Sequence, residues 1–204
     1  MKSVSLAVLG LAAAATALIF LDQPIAQFAL DHRHGASQLA GWISSATSPM
    51  LVFSMLLILA VAEQGRHLGR HNRGLATAEA NIPLRLLLCG AGASLIAWLL
   101  KSVIGRARPD IDQLDHLAFR VLAFNDSFGS LPSAQATLAA SLAVMLSAAF
   151  PRYRGIIVIV LAIVCLARLL IPEHWLSDVI LGLMLGAAIA RCMPPARPSK
   201  SSNA

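Results

Sequence analysis

Long apolar runs alternate with polar segments along the whole chain. The six longest runs cover residues 4–21, 49–62, 82–104, 132–150, 156–171 and 175–190. Their lengths lie near the roughly 20 residues that an α-helix needs to cross a bilayer, and the shorter runs require tilt or local thinning of the bilayer. The pattern predicts an all-α fold: a polytopic membrane protein with six transmembrane helices in a bundle.

The polar segments between these runs are expected to lie outside the hydrocarbon core. Residues 22–48 mix apolar and charged positions, are too polar to span, and are expected to lie along the interface as an amphipathic segment. Residues 64–80 and 105–131 are predicted to be loops, the second long enough for a binding or lid role. The Pro- and Ser-rich residues 194–204 predict a disordered cytoplasmic tail, which leaves residues 1–193 as one membrane domain. The first run lacks a small-residue cleavage site and is expected to be a retained signal anchor.

Composition supports the membrane assignment, and in a membrane protein the positive net charge does not indicate binding to nucleic acid. Of 204 residues, 57% are hydrophobic and 13% are charged, and the mean hydropathy of +0.73 excludes a soluble single domain. The formal net charge of +6 would favour nucleic acid as the partner of a soluble chain, but here the partner is the bilayer and no nucleic acid is expected. Cys89, Cys165 and Cys192 lie within or at the ends of apolar runs and are predicted to be packing residues rather than a disulfide framework or metal ligands.

The distribution of basic residues predicts the orientation. With six spans, the side of the membrane that holds both termini also holds ten of the sixteen Lys and Arg residues: Lys2, Arg66, Arg70, Arg73, Arg85, Arg152, Arg154, Arg191, Arg197 and Lys200. The positive-inside rule makes that side the cytoplasm. The polar groups between the other ends of the spans then face outward, to the periplasm if the cell is Gram-negative.

A short stretch between the last two runs carries the first candidate chemistry. Arg168, His174 and Asp178 are ionisable residues at membrane depth, where such side chains are costly and usually functional. On a helix that begins near Glu173, His174 and Asp178 lie four residues apart on one face. The carboxylate is then expected to hydrogen-bond one ring nitrogen and leave the other as a base or nucleophile. Arg168 supplies a five-donor fork suited to phosphate. An isolated His would be an ordinary loop residue, but three such groups together favour a site.

Two further polar groups lie on the same outward side. Lys101 and Arg108 are seven residues apart, two helical turns along one face, so both side chains are able to reach one anion. Lys and Arg at helix ends also snorkel to lipid headgroups, so this pair alone leaves both interpretations open. Ser133 and Gln135 follow Pro132 at the start of the fourth run, where the free N–H groups of a helix N-terminus favour an anion. Taken alone, these residues are better explained as an ordinary helix cap.

Together these residues resemble the tripartite signature of the phosphatidic acid phosphatase type 2 superfamily. The matching positions are Lys101, Arg108, Pro109, Pro132, Ser133, Arg168, His174 and Asp178, within about residues 84 to 190. The resemblance implies a six-span bundle with its site at the outer leaflet of the bacterial inner membrane, and a lipid phosphatase whose partner is a phosphorylated lipid.

The resemblance also implies the role of each residue. His174 is the nucleophile that forms a phosphohistidine, and Asp178 orients it. The residues that bind the phosphate oxygens are Lys101, Arg108, Ser133 and Arg168. Phosphoryl transfer needs positioning and charge stabilisation above all, and three cations already supply the charge, so no metal and no cofactor is expected.

The second motif departs from the family's usual Pro-Ser-Gly-His. Ala134 and Gln135 occupy the last two positions, and Ala167 replaces the usual Ser before Arg168. The family's His is thought to protonate the leaving oxygen, which glutamine does not do. An alkoxide leaving group resembles hydroxide, whose conjugate acid has a pKa of about 15.7, whereas a departing phosphate has a second pKa of about 6. The sequence therefore favours a lipid pyrophosphate, such as a polyprenyl diphosphate, over a lipid phosphomonoester.

Alternatives remain open at the level of sequence. His116, in the loop 105–131, is a candidate substitute acid that reaches the leaving group, although a solvated loop residue is the simpler interpretation. The other functions considered are a lipid phosphotransferase, a catalytically degenerate member that binds phosphorylated lipid, and a transporter. A transporter usually shows matched halves, which this chain lacks, and the presence of His174 and Asp178 favours an enzyme. The identity of the lipid and the oligomeric state are not predicted.

Overall fold

The computed structural model of the chain describes residues 2–71, 81–109 and 115–193. Within these ranges the chain forms eight α-helices: α1 (Lys2–Thr16), α2 (Asp22–Asp31), α3 (Arg33–Ala46), α4 (Pro49–His71), α5 (Ile82–Ile104), α6 (Ala134–Ala149), α7 (Arg154–Leu170) and α8 (Leu176–Cys192). A π-helical turn at Ala17–Leu21 joins α1 to α2. The described residues contain no β-strand, only an isolated bridge between Arg106 and Phe119. The all-α prediction is confirmed.

Local sequence sets both ends of α5. The side chain of Asn81 accepts a hydrogen bond from a first-turn N–H at 2.9 Å, and Pro83 lies in the same turn, where its missing N–H costs nothing. At the other end Gly105 has φ +60° and caps the helix in the left-handed conformation, with its N–H donating to the Lys101 carbonyl. A Cβ at this glycine would lie 1.7 Å from the Arg120 carbonyl oxygen. Helix α5 therefore stops shortly after Lys101 in a turn that only glycine permits.

Helices α6 and α8 pack with their backbones close together. A Cβ on Gly182 would lie 2.7 Å from the Ser133 carbonyl oxygen, and one on Gly186 would lie 2.1 Å from the Thr137 carbonyl oxygen. Small residues that permit such an approach are typical of helix pairs in membranes. The contact brings the first turns of α6 and α8 together, and the candidate site lies there.

Four helical segments are long and apolar enough to cross a membrane: Val4–Asp31, Gln38–Arg66, Ile82–Ile104 and Pro151–Leu170. Helices α6 and α8 are also apolar but have 16 and 17 residues, so six spans stay a prediction. Many large apolar side chains of the long helices are exposed, among them Val8 at 59%, Ile58 at 69% and Val158 at 59%. Apolar surface of this extent needs a lipid environment, as expected of an integral membrane protein.

Two segments differ from the expectation drawn from the sequence. Residues 22–48 are not one separate segment, since α2 continues the first helix and α3 leads into α4; their position at the interface stays a prediction. The first helix is able to continue through Asp22 because this residue is only 1% exposed and its charge is paired with Arg106. Residues 64–71, which were expected to begin a loop, extend α4 instead.

The long segment after α5 is a loop in its described residues, as the sequence predicts. Residues 105–109 and 115–131 contain no α-helix and include a 3-10 turn at Asp126–Phe128. The remaining expectations, a loop over residues 72–80 and a disordered tail over residues 194–204, fall outside the described residues.

Candidate active site

His174 lies in the short connection between α7 and α8 and is 4% exposed. Its Nδ1 atom is 2.8 Å from the backbone carbonyl oxygen of Ser130. Because a carbonyl oxygen only accepts hydrogen bonds, Nδ1 carries the proton and donates it. The lone pair of the neutral ring is then on Nε2, which no described residue hydrogen-bonds. This tautomer leaves one ring nitrogen available as a nucleophile.

The carboxylate of Asp178 does not hydrogen-bond His174, in contrast to the expectation from their spacing. Helix α8 begins after Trp175, its N-cap residue, so His174 lies ahead of the helix and the i, i+4 argument does not apply. One carboxylate oxygen of Asp178 accepts from the Trp175 N–H at 2.9 Å and from the Ser130 hydroxyl. The other accepts from Arg106 Nη1 at 2.5 Å. Asp178 is therefore linked to His174 only through Ser130, whose hydroxyl donates to Asp178 and whose carbonyl accepts from the ring.

Arg108 and Arg168, termed here the cationic pair, face the carboxylate of Glu173. Arg168 Nη2 makes an ion pair with Glu173 Oε2, and Arg108 Nη1 lies 3.6 Å from the same oxygen. The Nε atoms of both arginines are buried and have no hydrogen-bond partner within the described residues. Buried donors without partners are costly, and guanidinium groups that converge on one anion are typical of a phosphate site. Glu173 thus occupies a position that suits a phosphate group.

Lys101 adds a third positive charge to this region. It lines a polar pocket of about 200 Å³ together with Arg108. Burial lowers the pKa of His174 well below its ordinary value of 6.5, and the charges of Lys101, Arg168 and Arg108 lower it further. His174 is therefore neutral at near-neutral pH, as a nucleophile must be.

Ser133 and Gln135 are both tied into the protein. Ser133 is fully buried, its N–H donates to the Asp178 carbonyl at 3.1 Å, and its hydroxyl oxygen caps α6. Gln135 Oε1 accepts from the Ser44 hydroxyl at 3.3 Å, and Gln135 Nε2 donates to the Ser44 carbonyl at 3.0 Å. The Ser44 hydroxyl in turn accepts from Arg168 Nη1. The Gln135 side chain therefore joins α6 to α3 and, through Ser44, to the cationic pair.

His116 lies beside the site but has no contact with the cationic pair among the described residues. Its ring packs edge-on against Trp175, with ring centroids 6.1 Å apart, and its Nδ1 is buried without a hydrogen-bond partner in the described part of the chain. The backbone carbonyl of His116 accepts from Arg106 Nε at 2.9 Å. The role of His116 as an acid, and that of Ser133 as a phosphate ligand, stay predictions.

Sequence patterns alone do not reveal four residues that build this region: Asp22, Ser44, Arg106 and Glu173. Arg106 is fully buried and bridges two carboxylates, with Nη2 at 2.7 Å from Asp22 and Nη1 at 2.5 Å from Asp178. Asp22 did carry a signal, because a carboxylate between apolar runs is expensive unless it is paired. Arg106 carried only the weak signal of a basic residue near the end of a span, which snorkelling explains as well.

The arrangement combines a buried, neutral nucleophile held in one tautomer with three cations. Such a site suits in-line transfer of a phosphoryl group, in which the protein supplies position and positive charge. Among the described residues, no cluster of three His, Cys, Asp or Glu side chains is placed to hold a metal ion. The donors that converge here are guanidinium and ammonium groups, which fit an anion.

Comparison with known proteins gives a family match and several relatives. A sequence profile described as the PAP2 superfamily matches residues 82–200. Lipid A 1-phosphatase of Rhizobium johnstonii is 30% identical over 158 residues, which are 76% of this chain and 64% of that protein. Lipid A 1-phosphatase of Rhizobium etli is 34% identical over 95 residues, 46% of this chain and 41% of that protein. The chain therefore spans less than two thirds of the length of these two rhizobial relatives.

Two further comparisons concern a mycobacterial protein and a solved structure. Decaprenylphosphoryl-5-phosphoribose phosphatase of Mycobacterium tuberculosis is 35% identical over 144 residues, 65% of this chain and 76% of that protein. The crystal structure of a transmembrane PAP2 type phosphatidylglycerolphosphate phosphatase from Bacillus subtilis superposes with a TM-score of 0.65 at 22% identity, over 93% of this chain and 92% of the other. At this identity the similarity concerns the fold alone.

Proposed function

Because this chain belongs to the PAP2 superfamily, we propose that it is a membrane lipid phosphatase that hydrolyses a phosphorylated lipid through a phosphohistidine intermediate on His174. The observation that carries the proposal is the His174 ring, whose Nδ1 donates to Ser130 and whose Nε2 is unpartnered among the described residues and close to three cations. The names of the relatives describe phosphatases of lipids, which supports a phosphorylated lipid as the substrate.

In the proposed first step the Nε2 lone pair of His174 attacks phosphorus, and the bond between phosphorus and the leaving oxygen breaks. The electron pair stays on the leaving group. Lys101 and the cationic pair stabilise the charge on the equatorial oxygens, in the place that Glu173 gives up. The proton on Nδ1 stays on the ring, and its hydrogen bond to Ser130 stabilises the positive charge that the phosphorylated ring acquires.

In the second step water attacks phosphorus, and the bond between phosphorus and Nε2 breaks. The electron pair of that bond returns to the ring, so neutral His174 is regenerated while phosphate and a proton are released. Lys101 and the cationic pair bind the phosphate oxygens in both steps, so no side chain has to be repositioned between them.

Gln135 supports a leaving group that departs without an acid. Both polar atoms of its amide are engaged with Ser44, and an amide does not supply a proton in any case. A lipid diphosphate releases a phosphate group of low basicity, with a second pKa of about 6. We therefore assign the preference of this enzyme to a lipid pyrophosphate, such as a polyprenyl diphosphate, over a lipid phosphomonoester.

An apolar groove between α6 and α7 supports a substrate with a hydrocarbon chain. The groove has a volume of about 270 Å³, and its walls are mainly aliphatic side chains such as Leu138, Leu142 and Val160. Gln135 lies at its lining and is linked through a single serine to Arg168. The groove therefore lies one serine away from the cationic pair, and we assign it to the chain of the lipid whose phosphate group binds there.

The distribution of basic residues supports a location for the reaction. The excess of Lys and Arg on the side that holds both termini favours a cytoplasmic position for the termini. The site then faces the outer side of the bacterial inner membrane, where lipid phosphates of the outer leaflet reach it.

The test is phosphate release by purified protein in detergent from a polyprenyl diphosphate and from a phosphatidic acid of matched chain length. We expect wild type to cleave the diphosphate faster, and His174→Ala to abolish release from both because the nucleophile is lost. We expect Gln135→His to raise turnover of the monoester by restoring an acid at that position. Equal or faster cleavage of the monoester by wild type would refute the leaving-group argument.

Two alternatives predict other results in the same assay. Transfer of the phosphoryl group to an added lipid alcohol, with dephosphorylated donor lipid but little free phosphate, would identify a phosphotransferase. Binding of both lipids without any release would identify a degenerate member that binds phosphorylated lipid.

A further inference from the structure

A buried carboxylate from the N-terminal helices reaches the region behind the nucleophile. Asp22 is 1% exposed and lies in the first turn of α2, far outside the family match at residues 82–200. One carboxylate oxygen of Asp22 accepts from Arg106 Nη2 at 2.7 Å and from the Ser177 hydroxyl at 2.5 Å. The other accepts from the Ser177 N–H at 2.9 Å. All the atoms in these contacts belong to buried side chains or to the backbone of a buried residue.

The contact with Ser177 fixes the start of α8. The first N–H groups of a helix have no partner within it, and negative charge near them is stabilising. Here Asp22 caps the N–H of the second residue, Ser177, while Asp178 accepts from the N–H of the N-cap residue, Trp175. The two carboxylates together define where the helix begins, and His174 is the residue just before it.

Arg106 couples the two carboxylates. Its planar guanidinium uses Nη2 for Asp22 and Nη1 for Asp178 and Ser177, at 2.7, 2.5 and 2.7 Å. The group also lies over the ring of Trp175, 5.3 Å from its centroid. A guanidinium with rigid fork geometry transmits the position of one partner to the other, and removing one member of a buried charge network leaves its partner uncompensated.

The network ends at the nucleophile. Asp178 binds the Ser130 hydroxyl, and the Ser130 carbonyl accepts the His174 Nδ1 proton. The path from Asp22 to His174 therefore runs through Arg106, Asp178 and Ser130 without a gap. A displacement at its first member shifts the ring relative to the cations, and an error of about 1 Å in a reacting group costs on the order of 100-fold in rate.

The π-helical turn just before Asp22 is a second, independent feature. It covers Ala17–Leu21 and ends directly at Asp22. Such a turn adds about one residue to an α-helical turn, which rotates the following side chains by roughly 100°. In a helix that otherwise faces lipid, this rotation gives Asp22 a buried orientation toward Arg106. Turns of this kind occur often at functional sites.

We propose that Asp22 is a positioning residue of the active site, which acts through Arg106 and the first turn of α8 to hold His174 in line with the bound phosphate. The proposal rests on the proposed function, and it extends the active unit to a helix that the family match does not include. Asp22 touches neither substrate nor reacting atoms, so its effect appears in the turnover number rather than in phosphate binding.

The test compares Asp22→Asn with Asp31→Asn, a change of the same kind on the same helix at an exposed position whose carboxylate accepts only from Gln27 among the described residues. We expect Asp22→Asn to lower kcat by about 100-fold. We expect KM and the inhibition constant of inorganic phosphate to change less than threefold, because Lys101 and the cationic pair are untouched. The Asp31→Asn enzyme should match wild type.

A double-variant cycle separates positioning from general destabilisation. If Asp22 acts through Arg106, Asp22→Asn has little further effect in an Arg106→Gln background, since the link is already cut. The proposal would be overturned if the fold-losses of kcat in Asp22→Asn and Arg106→Gln multiplied in the double variant. It would also be overturned if kcat fell no further than the fraction of folded protein, measured by thermal unfolding. If Asp22→Asn does not fold, Ser177→Ala is the alternative variant, because it removes one hydrogen bond of Asp22 and leaves its charge pair with Arg106 in place. An unchanged kcat in Ser177→Ala would also overturn the proposal. A wild-type enzyme that releases no phosphate contradicts the proposed function instead.

Discussion

At the scale of single residues, the proposed function makes Glu173 the side chain that a phosphate must displace. Its carboxylate lies between the guanidinium groups of Arg108 and Arg168, which are the groups best suited to phosphate oxygens. The residue is 38% exposed at its side chain, so it is able to swing toward water. Every anion that enters the site therefore competes with a carboxylate that is already bound there.

Replacing Glu173 with glutamine should strengthen phosphate binding. Glu173→Gln removes the competing charge and keeps the shape, so we expect the inhibition constant of inorganic phosphate to fall roughly fivefold, equivalent to about 1 kcal/mol for a partly exposed ion pair. The control is Glu63→Gln, which breaks a surface pair with Arg66 on α4. Unchanged or weaker inhibition in Glu173→Gln would show that the carboxylate assists the anion site instead of occupying it.

The lowered pKa of His174 sets the pH dependence. Burial, followed by the charges of Lys101, Arg168 and Arg108, moves this pKa well below 6.5, so the neutral nucleophile persists as the pH falls through 6.5. We expect the acid limb of kcat/KM to lie below pH 6.5, because that limb reports protonation of the free enzyme's nucleophile.

Lys101 is one of the three cations that lower the pKa of His174. Lys101→Met removes one cation that lowers the pKa of His174, so the acid limb should move to higher pH. The pH profile, normalised to its own maximum, measures this separately from the expected loss of rate. A limb that stays in place or moves downward would contradict the electrostatic argument, and Arg152→Met, at an exposed position on the 3-10 turn before α7, serves as the control.

At the scale of elements, the ends of helices position the chemistry. Helix α5 ends at Ile104, and the left-handed conformation of its cap residue, Gly105, turns the chain one helical turn after Lys101. Helix α8 begins at a capping arrangement that includes Asp178 and a carboxylate from α2. Small changes in where these helices end would separate the cations from the nucleophile.

Gly105→Ala tests the turn after α5. A Cβ would lie 1.7 Å from the Arg120 carbonyl oxygen, and the φ of +60° alone costs an L-residue about 1–2 kcal/mol. We expect a lower thermal unfolding midpoint and at least a tenfold loss of phosphate release. Gly92→Ala on the same helix meets no atom within 4 Å and should be neutral or stabilising by up to about 1 kcal/mol. Similar effects of the two substitutions would mean that the turn is not constrained.

The sequence predicts elements whose signals are local and fails where partners are distant. The apolar runs predict α5, α7 and α8 to within a few residues, because length and hydropathy decide a membrane helix. The pairing of Asp22 is not predicted because Arg106, its partner, lies 84 positions further along the chain. The direct contact predicted between His174 and Asp178 failed because the side chain of Asp178 caps α8, which delays the start of the helix past His174.

In the candidate site, too, the sequence predicts the local pattern and not the contacts between distant residues. The spacing of the charged residues indicates which of them belong to one site, and the structure brings the cationic pair together around Glu173. Spacing does not indicate which side chains are hydrogen-bonded to other protein groups and which are available to a ligand. Gln135 is the clearest case, since its contacts with Ser44 depend on how α3 packs on the rest of the bundle.

At the scale of the whole molecule, the protein combines an apolar exterior with charged groups in its interior. The exposed faces of the long helices carry large apolar side chains, while the fully buried ionisable groups Asp22, Arg106 and Asp178 pair with one another. The groove between α6 and α7 is lined mainly by aliphatic side chains, and Gln135 is the polar side chain in its lining that links through Ser44 to Arg168.

Filling the groove should change the selection of chain length. Ala143 lines the groove on α6, and Ala143→Phe would occupy part of its volume. We expect KM for a long-chain substrate to rise about tenfold, while release from a short-chain, water-soluble analogue stays within twofold of wild type. Ala148→Phe places the same ring at an exposed position on the same helix and should alter neither. Equal effects on both substrates would place the chain elsewhere.

The tethered carboxylate of Glu173 also sets a threshold for entry. A group attached to the protein competes as if present at millimolar concentration or above, so a weak anion does not displace it. The headgroups of bulk phospholipids are phosphodiesters with one negative charge per phosphate, whereas a terminal phosphate carries about −1.5 to −2 at pH 7. Under the proposed function, this difference in charge keeps the cationic pair from being saturated by phosphodiester lipids, which vastly outnumber terminal phosphates in a bilayer.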